Sequence, residues 1–79
     1  MFEPTFENVA IIGAGTMGHG IAQVCAMAGM EVRLFDVADD ALQNGLDKVH
    51  ANLDKGVARG KVSEDVRKAT IHHLHGTTE

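Results

Sequence analysis

The stretch VAIIGAGTMGHGIAQ, residues 9–23, limits what this chain can fold into more than any other. The run NVAII (8–12) is uncharged and, after Asn8, apolar at consecutive positions, the pattern of a strand buried on both faces. Gly13, Gly15 and Gly18 follow at G-x-G-x-x-G spacing. From Thr16 to Ala28 the apolar residues Met17, Ile21, Val24, Cys25 and Ala28 recur at helical steps and predict one buried helix face. Gly29 stands where a left-handed cap ends such a helix, and EVRLFD (31–36) reads as a second strand. Strand, tight turn, helix and strand within about 30 residues make a βαβ unit, its strands parallel because a helix forms the crossover.

The remainder reads as helical. In DDALQNGLDKVHANLDKGVARG (39–60), Leu42, Leu46, Val49, Leu53 and Val57 fall on one stripe, and Asp39 or Asp40 can cap its start. Gly45 and Gly56 weaken that helix by roughly 1 kcal/mol each relative to Ala. A helix this long and narrowly apolar is expected to project from the domain. Gly60 ends it, and VSEDVRKATIHHL (62–74) restarts a helix with Ser63 as cap and Glu64 and Asp65 in the first turn. LHGTT (74–78) is a possible short third strand, and residues 1–7, with Pro4, are a loose lead-in. The fold class is α/β: a partial Rossmann fold, in which a parallel βαβ unit is followed by a helical hairpin arm over 39–74.

Composition excludes several classes. With 7 Lys and Arg against 11 Asp and Glu, the formal charge is −4, and the only aromatic residues are three Phe, so no basic, stacking nucleic-acid surface is expected. No apolar run approaches the roughly 18 residues of a membrane span. The start, MFEPTFEN, is acidic and lacks the apolar core of a signal peptide. Cys25 is the sole cysteine, which suits a reducing, cytoplasmic setting, and its place on the helix stripe marks it as packing rather than nucleophile. Seventy-nine residues are one small domain or part of a larger one.

Each glycine of the loop has its own task. Gly13 permits the sharp turn, Gly15 lets a pyrophosphate approach the backbone, and Gly18 lets helix and strand pack closely. The helix start, around Thr16 to Gly18, offers unpaired N–H groups and a positive dipole end to an anion. Asp36 closes the second strand, 18 residues after Gly18, where a carboxylate accepts the ribose hydroxyls of a dinucleotide and repels a 2′-phosphate. Val37 and Ala38 bring no cation for such a phosphate, and Arg33 falls on the opposite strand face, so NAD is favoured over NADP. Alone, the loop is as consistent with an ordinary turn, and Asp36 with a helix cap. In this order and spacing they indicate a dinucleotide site.

With these residues in place, the chain resembles the amino-terminal part of 3-hydroxyacyl-CoA dehydrogenases, of the bacterial 3-hydroxybutyryl-CoA type. The likeness rests on GAGTMGHGIAQVCAMAGMEVRLFDV, on ANLDKGVARGKVSEDV and on the closing HGTTE, and covers residues 8–79. It implies NAD-dependent interconversion of 3-hydroxyacyl-CoA and 3-oxoacyl-CoA, with residues 1–79 as the first part of the NAD-binding domain. Carried over by position, Gly13, Ala14, Gly15, Thr16, Met17 and Gly18 form the pyrophosphate loop and Asp36 binds the ribose. By the same carry-over Asn52 and Arg59, two helical turns apart on a flank beside the leucine stripe, meet CoA; a solvated helix flank is the alternative reading, stronger for Asn52 than for Arg59. The family's His base and its orienting Glu come from later sequence, as does its helical dimerisation domain, so no residue of this chain is assigned to catalysis.

Other features add less. His72, His73 and His75 are better read as exposed residues at a negative helix end than as metal ligands, and no metal is expected. His19 is expected to be an exposed first-turn residue. Apolar residues on both faces of 8–12 leave one sheet face uncovered, which predicts a homo-oligomer, a domain-swapped dimer or aggregation. A stand-alone NAD-binding or sensing module is the alternative to a dehydrogenase part, and a non-binding helical interaction module is a third reading. The 3-hydroxyisobutyrate and 6-phosphogluconate dehydrogenases share Met after the loop but lack this hairpin, and flavin-binding Rossmann domains usually carry Glu at the place of Asp36.

Overall fold

The computed structural model describes residues 8–79; the lead-in expected over 1–7 lies outside them. Three strands and three helices alternate as β1 (Asn8–Ile12), α1 (Thr16–Met27), β2 (Glu31–Phe35), α2 (Asp39–Ala58), α3 (Glu64–His73) and β3 (Leu74–Thr77). The strands form one parallel sheet in the order β1-β2-β3, with Val9, Val32 and Leu74 in one row and Ile11, Leu34 and Gly76 in another. The predicted third strand is therefore present and pairs with β2.

Both crossovers run in the same direction across the sheet, so right-handedness puts all three helices on one face. On that face Val32 and Leu34 are fully buried with Ala14, Ala22, Ala26 and Leu42. Burying a side chain the size of Leu34 contributes about 1.5–3 kcal/mol. The other face is open: Ala10, Ile12, Arg33 and His75 are exposed. Among the described residues no element covers that face, and with Arg33 and His75 in it the face is mixed, where residues 8–12 predicted it apolar.

Two helix expectations are corrected. In α1 the apolar stripe of Met17, Ile21 and Val24 faces outward, at 77%, 48% and 68% exposure, and Ala28 is exposed too. The face toward the sheet is made of small residues, Gly18, Ala22 and Ala26, spaced by four, because α1 lies too close to the strands for larger ones. Cys25 flanks that face and packs against the core as predicted. Nor does α2 project. Leu42, Gly45, Val49 and Leu53 are buried along it, and α1 packs against both α2 and α3. The hairpin folds back because α3 and α1 supply the apolar partners that the α2 stripe needs.

The helix ends follow local rules with one exception. Ser63 Oγ accepts the Val66 N–H at 3.1 Å, the predicted cap of α3. Gly29 and Gly60, both with positive φ, follow the ends of α1 and α2. The N-cap of α2 is Ala38 rather than an aspartate; Asp39 and Asp40 occupy the first turn, where they face the positive dipole end.

Candidate functional site

The loop between β1 and α1 crosses the carboxyl ends of the strands. Gly13 has φ +97°, a backbone conformation that side chains disfavour, and its N–H donates to Phe35 O at 2.7 Å. A Cβ on Gly18 would lie 1.7 Å from Gly13 O, so this glycine is fixed by the approach of helix to strand. Gly15 differs from both. A Cβ there would meet nothing within 4 Å, so no protein atom requires a glycine. The space it leaves lies at the N-cap of α1, whose first-turn N–H groups have no partner within the helix and no acidic side chain beside them. These are the features that a pyrophosphate needs.

Asp36 stands one residue past β2, half-buried, with its carboxylate turned back toward the loop. Oδ2 accepts the Ala14 N–H at 3.0 Å and Oδ1 the Ala38 N–H at 2.9 Å. These two donors, Ala14 first, hold the carboxyl below its ordinary range, and it is therefore ionised at neutral pH. A carboxylate has about four lone-pair positions, so two remain for the hydroxyls of a ribose. Beside it a cleft of about 180 Å³ is lined by Ile12, Gly13, Phe35, Asp36 and Val37. Its apolar walls, Ile12 and Val37, are more than four-fifths exposed. In sequence Ile12 reads only as a strand end and Val37 only as a residue without charge; aliphatic side chains at the ends of adjoining strands are the signal for such a cleft.

The structure brings Gly13, Ala14, Gly15 and Asp36 together, with Thr16, Met17 and Gly18 opening the adjoining helix. Arg33 is exposed on the open sheet face, away from Asp36, as its strand position requires. Asn52 and Arg59 are not part of this constellation. Both are exposed; Asn52 Nδ2 donates to Gln23 Oε1 of α1 at 3.2 Å, and Arg59 caps the end of α2.

The histidines depart from expectation. His19 is buried, not exposed, and its Nδ1 lies 2.9 Å from Gly15 O, because its position on α1 turns inward beside Gly18. His73 and His75 do more than crowd a helix end. His73 Nδ1 and His75 Nε2 both pair with the Glu31 carboxylate, the latter at 2.8 Å, which ties α3 and β3 to the start of β2. Contacts with His75 and His73 hold the Glu31 carboxyl below its usual range. Forty residues of intervening sequence hid that pairing.

Residues 8–79 match the family described as 3-hydroxyacyl-CoA dehydrogenase, NAD binding domain. The chain belongs to that family. It is 41% identical over 73 residues to 3-hydroxyadipyl-CoA dehydrogenase of Escherichia coli, covering 92% of this chain and 15% of that protein. A 3-hydroxybutyryl-CoA dehydrogenase of Mycobacterium tuberculosis is 38% identical over 73 residues, 92% of this chain and 26% of its own length. In structure, the chain superposes on (S)-3-hydroxybutyryl-CoA dehydrogenase from Ralstonia eutropha with a TM-score of 0.90 at 37% identity, over 95% of this chain and 26% of that one. The chain thus spans about a quarter or less of the relatives it matches. The cofactor of the family's domain is NAD, and the glycine loop and Asp36 fit it. Relatives that are dehydrogenases favour an enzyme part over a stand-alone sensing module.

Proposed function

We propose that this chain is the NAD-binding part of a dehydrogenase that interconverts (3S)-3-hydroxyacyl-CoA, of short chain such as 3-hydroxybutyryl-CoA, and 3-oxoacyl-CoA. The observation that carries this reading is the hydrogen bond from Ala14 N–H to Asp36. It sets an anion-binding helix start and a diol-binding carboxylate side by side at the strand ends, the two recognition elements of an adenine dinucleotide. Bound there, NAD would supply the hydride acceptor. Gly13 to Gly18 would hold the pyrophosphate, Asp36 the ribose, and Ile12 and Val37 the faces of the adenine ring.

Oxidation of an alcohol also needs a base within reach of its proton. Asp36 in the cleft is engaged with the Ala14 and Ala38 N–H groups and His19 is buried against Gly15 O, so this reading takes the base from a longer polypeptide. Asn52 and Arg59 are assigned to CoA, a polyanion that an amide and a guanidinium can bind, on the strength of their exposure and the family likeness. Their separation from the glycine loop along α2 suits a long carrier. The open sheet face supports association with further chain or a second copy, and the lone thiol supports a cytoplasmic setting.

The test is calorimetric titration with NAD and NADP, joined to an assay of NADH formation from (3S)-3-hydroxybutyryl-CoA by the longer protein. Saturable binding of NAD in preference to NADP, with turnover, is expected. Binding without turnover on any 3-hydroxyacyl-CoA would return the sensing module to favour.

A further inference from the structure

Helix α2 meets the Asp36 carboxylate through the Ala38 N–H at its N-cap, and farther along it meets the glycine loop at Gly45. Gly45 lies in its buried stripe with Leu42, Val49 and Leu53, facing Ala14. A Cβ on Gly45 would lie 2.6 Å from Ala14 O and 3.0 Å from Ala14 Cβ. The first distance is a clash with backbone that no rotamer change can relieve.

Ala14 is thereby held from two sides. Its N–H is bound by the Asp36 carboxylate, its carbonyl lies against Gly45, and the residue is 3% exposed. The Ala14 carbonyl and the Gly15 N–H belong to one planar trans peptide, so they point in opposite directions and turn together. Fixing the carbonyl against α2 therefore fixes the Gly15 N–H and the start of α1 that follows it. Phosphate recognition by backbone N–H groups tolerates displacements of only about 0.5 Å.

We infer that Gly45 is a positioning residue of the NAD site, acting through Ala14; the inference rests on the NAD reading above. At this point a glycine inside a helix, ordinarily a loss of about 1 kcal/mol relative to Ala, is kept for the loop rather than for the helix. Alanine at 45 improves helix propensity and pushes the Ala14 peptide by several tenths of an ångström.

The test compares the full chain with Gly45→Ala, Ala14→Gly and Leu53→Ala, reading amide chemical shifts of residues 13–18, Tm and the Kd for NAD. Gly45→Ala is expected to move the Ala14 and Gly15 amide shifts and to weaken NAD binding roughly tenfold, as small misplacements of binding groups do. Ala14→Gly removes the second of the two contacts, that of the Ala14 Cβ with Gly45, and loosens the loop backbone; it is expected to weaken NAD severalfold. Leu53→Ala, at the far end of the buried stripe, should lower Tm while leaving the Kd of the folded protein within about twofold, which separates positioning from general stability. Loop amides unmoved by Gly45→Ala, or a Kd unchanged in both loop-contact variants, overturns the inference. Should the unaltered chain bind no NAD, the cofactor reading falls, while the loop amides still decide whether Gly45 positions the loop.

Discussion

The Asp36 carboxylate receives the Ala14 N–H at 3.0 Å, joining the end of β2 to the loop after β1 before any ligand arrives. The same group holds the Ala38 N–H at the start of α2. One side chain thus organises two loops, and under the proposed reading the same residue also recognises the ribose.

Replacement of Asp36 by Asn tests this sharing. The amide keeps one acceptor oxygen but presents an NH2 group to the second backbone N–H and loses the charge that repels a 2′-phosphate. NAD affinity is expected to fall by roughly tenfold or more, since charge-assisted hydrogen bonds are the stronger ones. The preference for NAD over NADP should narrow in the same titrations. Unchanged affinity for both would show that no ribose is held at Asp36.

Acid stability should report the same carboxylate and its counterpart Glu31. Both are held below their ordinary values, 3.8 for Asp36 and 4.5 for Glu31. A carboxyl with a depressed folded-state pKa binds fewer protons folded than unfolded. Its contribution is fully present above the unfolded value and is lost as pH falls through the folded one. The Tm should therefore decline below about pH 4.5, first through Glu31 and then, below 3.8, through Asp36. Glu31→Gln should flatten the upper part of that decline and Asp36→Asn the lower part, in thermal melts taken from pH 6 to 2.

Alanine at Gly18 and alanine at Gly15 should have opposite consequences. At Gly18 the new Cβ would stand 1.7 Å from Gly13 O, so α1 must leave the strand, and overpacking of this kind costs about 1–3 kcal/mol or more. At Gly15 there is open space, and exchange at an N-cap should change stability by only about 1 kcal/mol. Gly15→Ala should nonetheless lose NAD binding, because its Cβ fills the room for the pyrophosphate. Urea denaturation beside calorimetry separates the two effects. Strong destabilisation by Gly15→Ala would mean that the glycine serves the fold.

Much of this architecture was legible, and the exceptions share a cause. β1, the βαβ unit, the Ser63 cap and the glycine turn between β1 and α1 follow from periodicity and spacing, which are local properties of the chain. The packing of the hairpin is not legible, because a narrow stripe on α2 does not say whether α1 or α3 lies near enough to cover it. The Glu31 pairing with His73 and His75 and the contact of Gly45 with Ala14 are long-range, and no local pattern records them. The face of α1 was different, since the information was present. Gly18 marks the point of close packing, and a helix that packs closely at 18 must also pack at 22 and 26. Bulky Met17, Ile21 and Val24 outweighed two alanines in the hydrophobic pattern, although only small residues suit that distance from the strands.

The outward and inward faces of α1 can be told apart by substitutions at Val24 and Ala22, two residues apart. Val24 is 68% exposed and Ala22 is fully buried against the sheet. If the outward stripe were core, Val24→Ser would remove a buried methyl pair and add a hydroxyl, with a loss well above 1 kcal/mol. In the structure as found, this change touches only solvent and should stay within about 0.5 kcal/mol. Ala22→Leu, which a hydrophobic pattern would score as an improvement, should instead force α1 off Val32 and Leu34 at a cost of about 1–3 kcal/mol. Both values are accessible from urea unfolding of this chain, with the dependence on urea serving as a check that the folded state stays compact. Equal and large losses at the two positions would return the buried face of α1 to the bulky stripe.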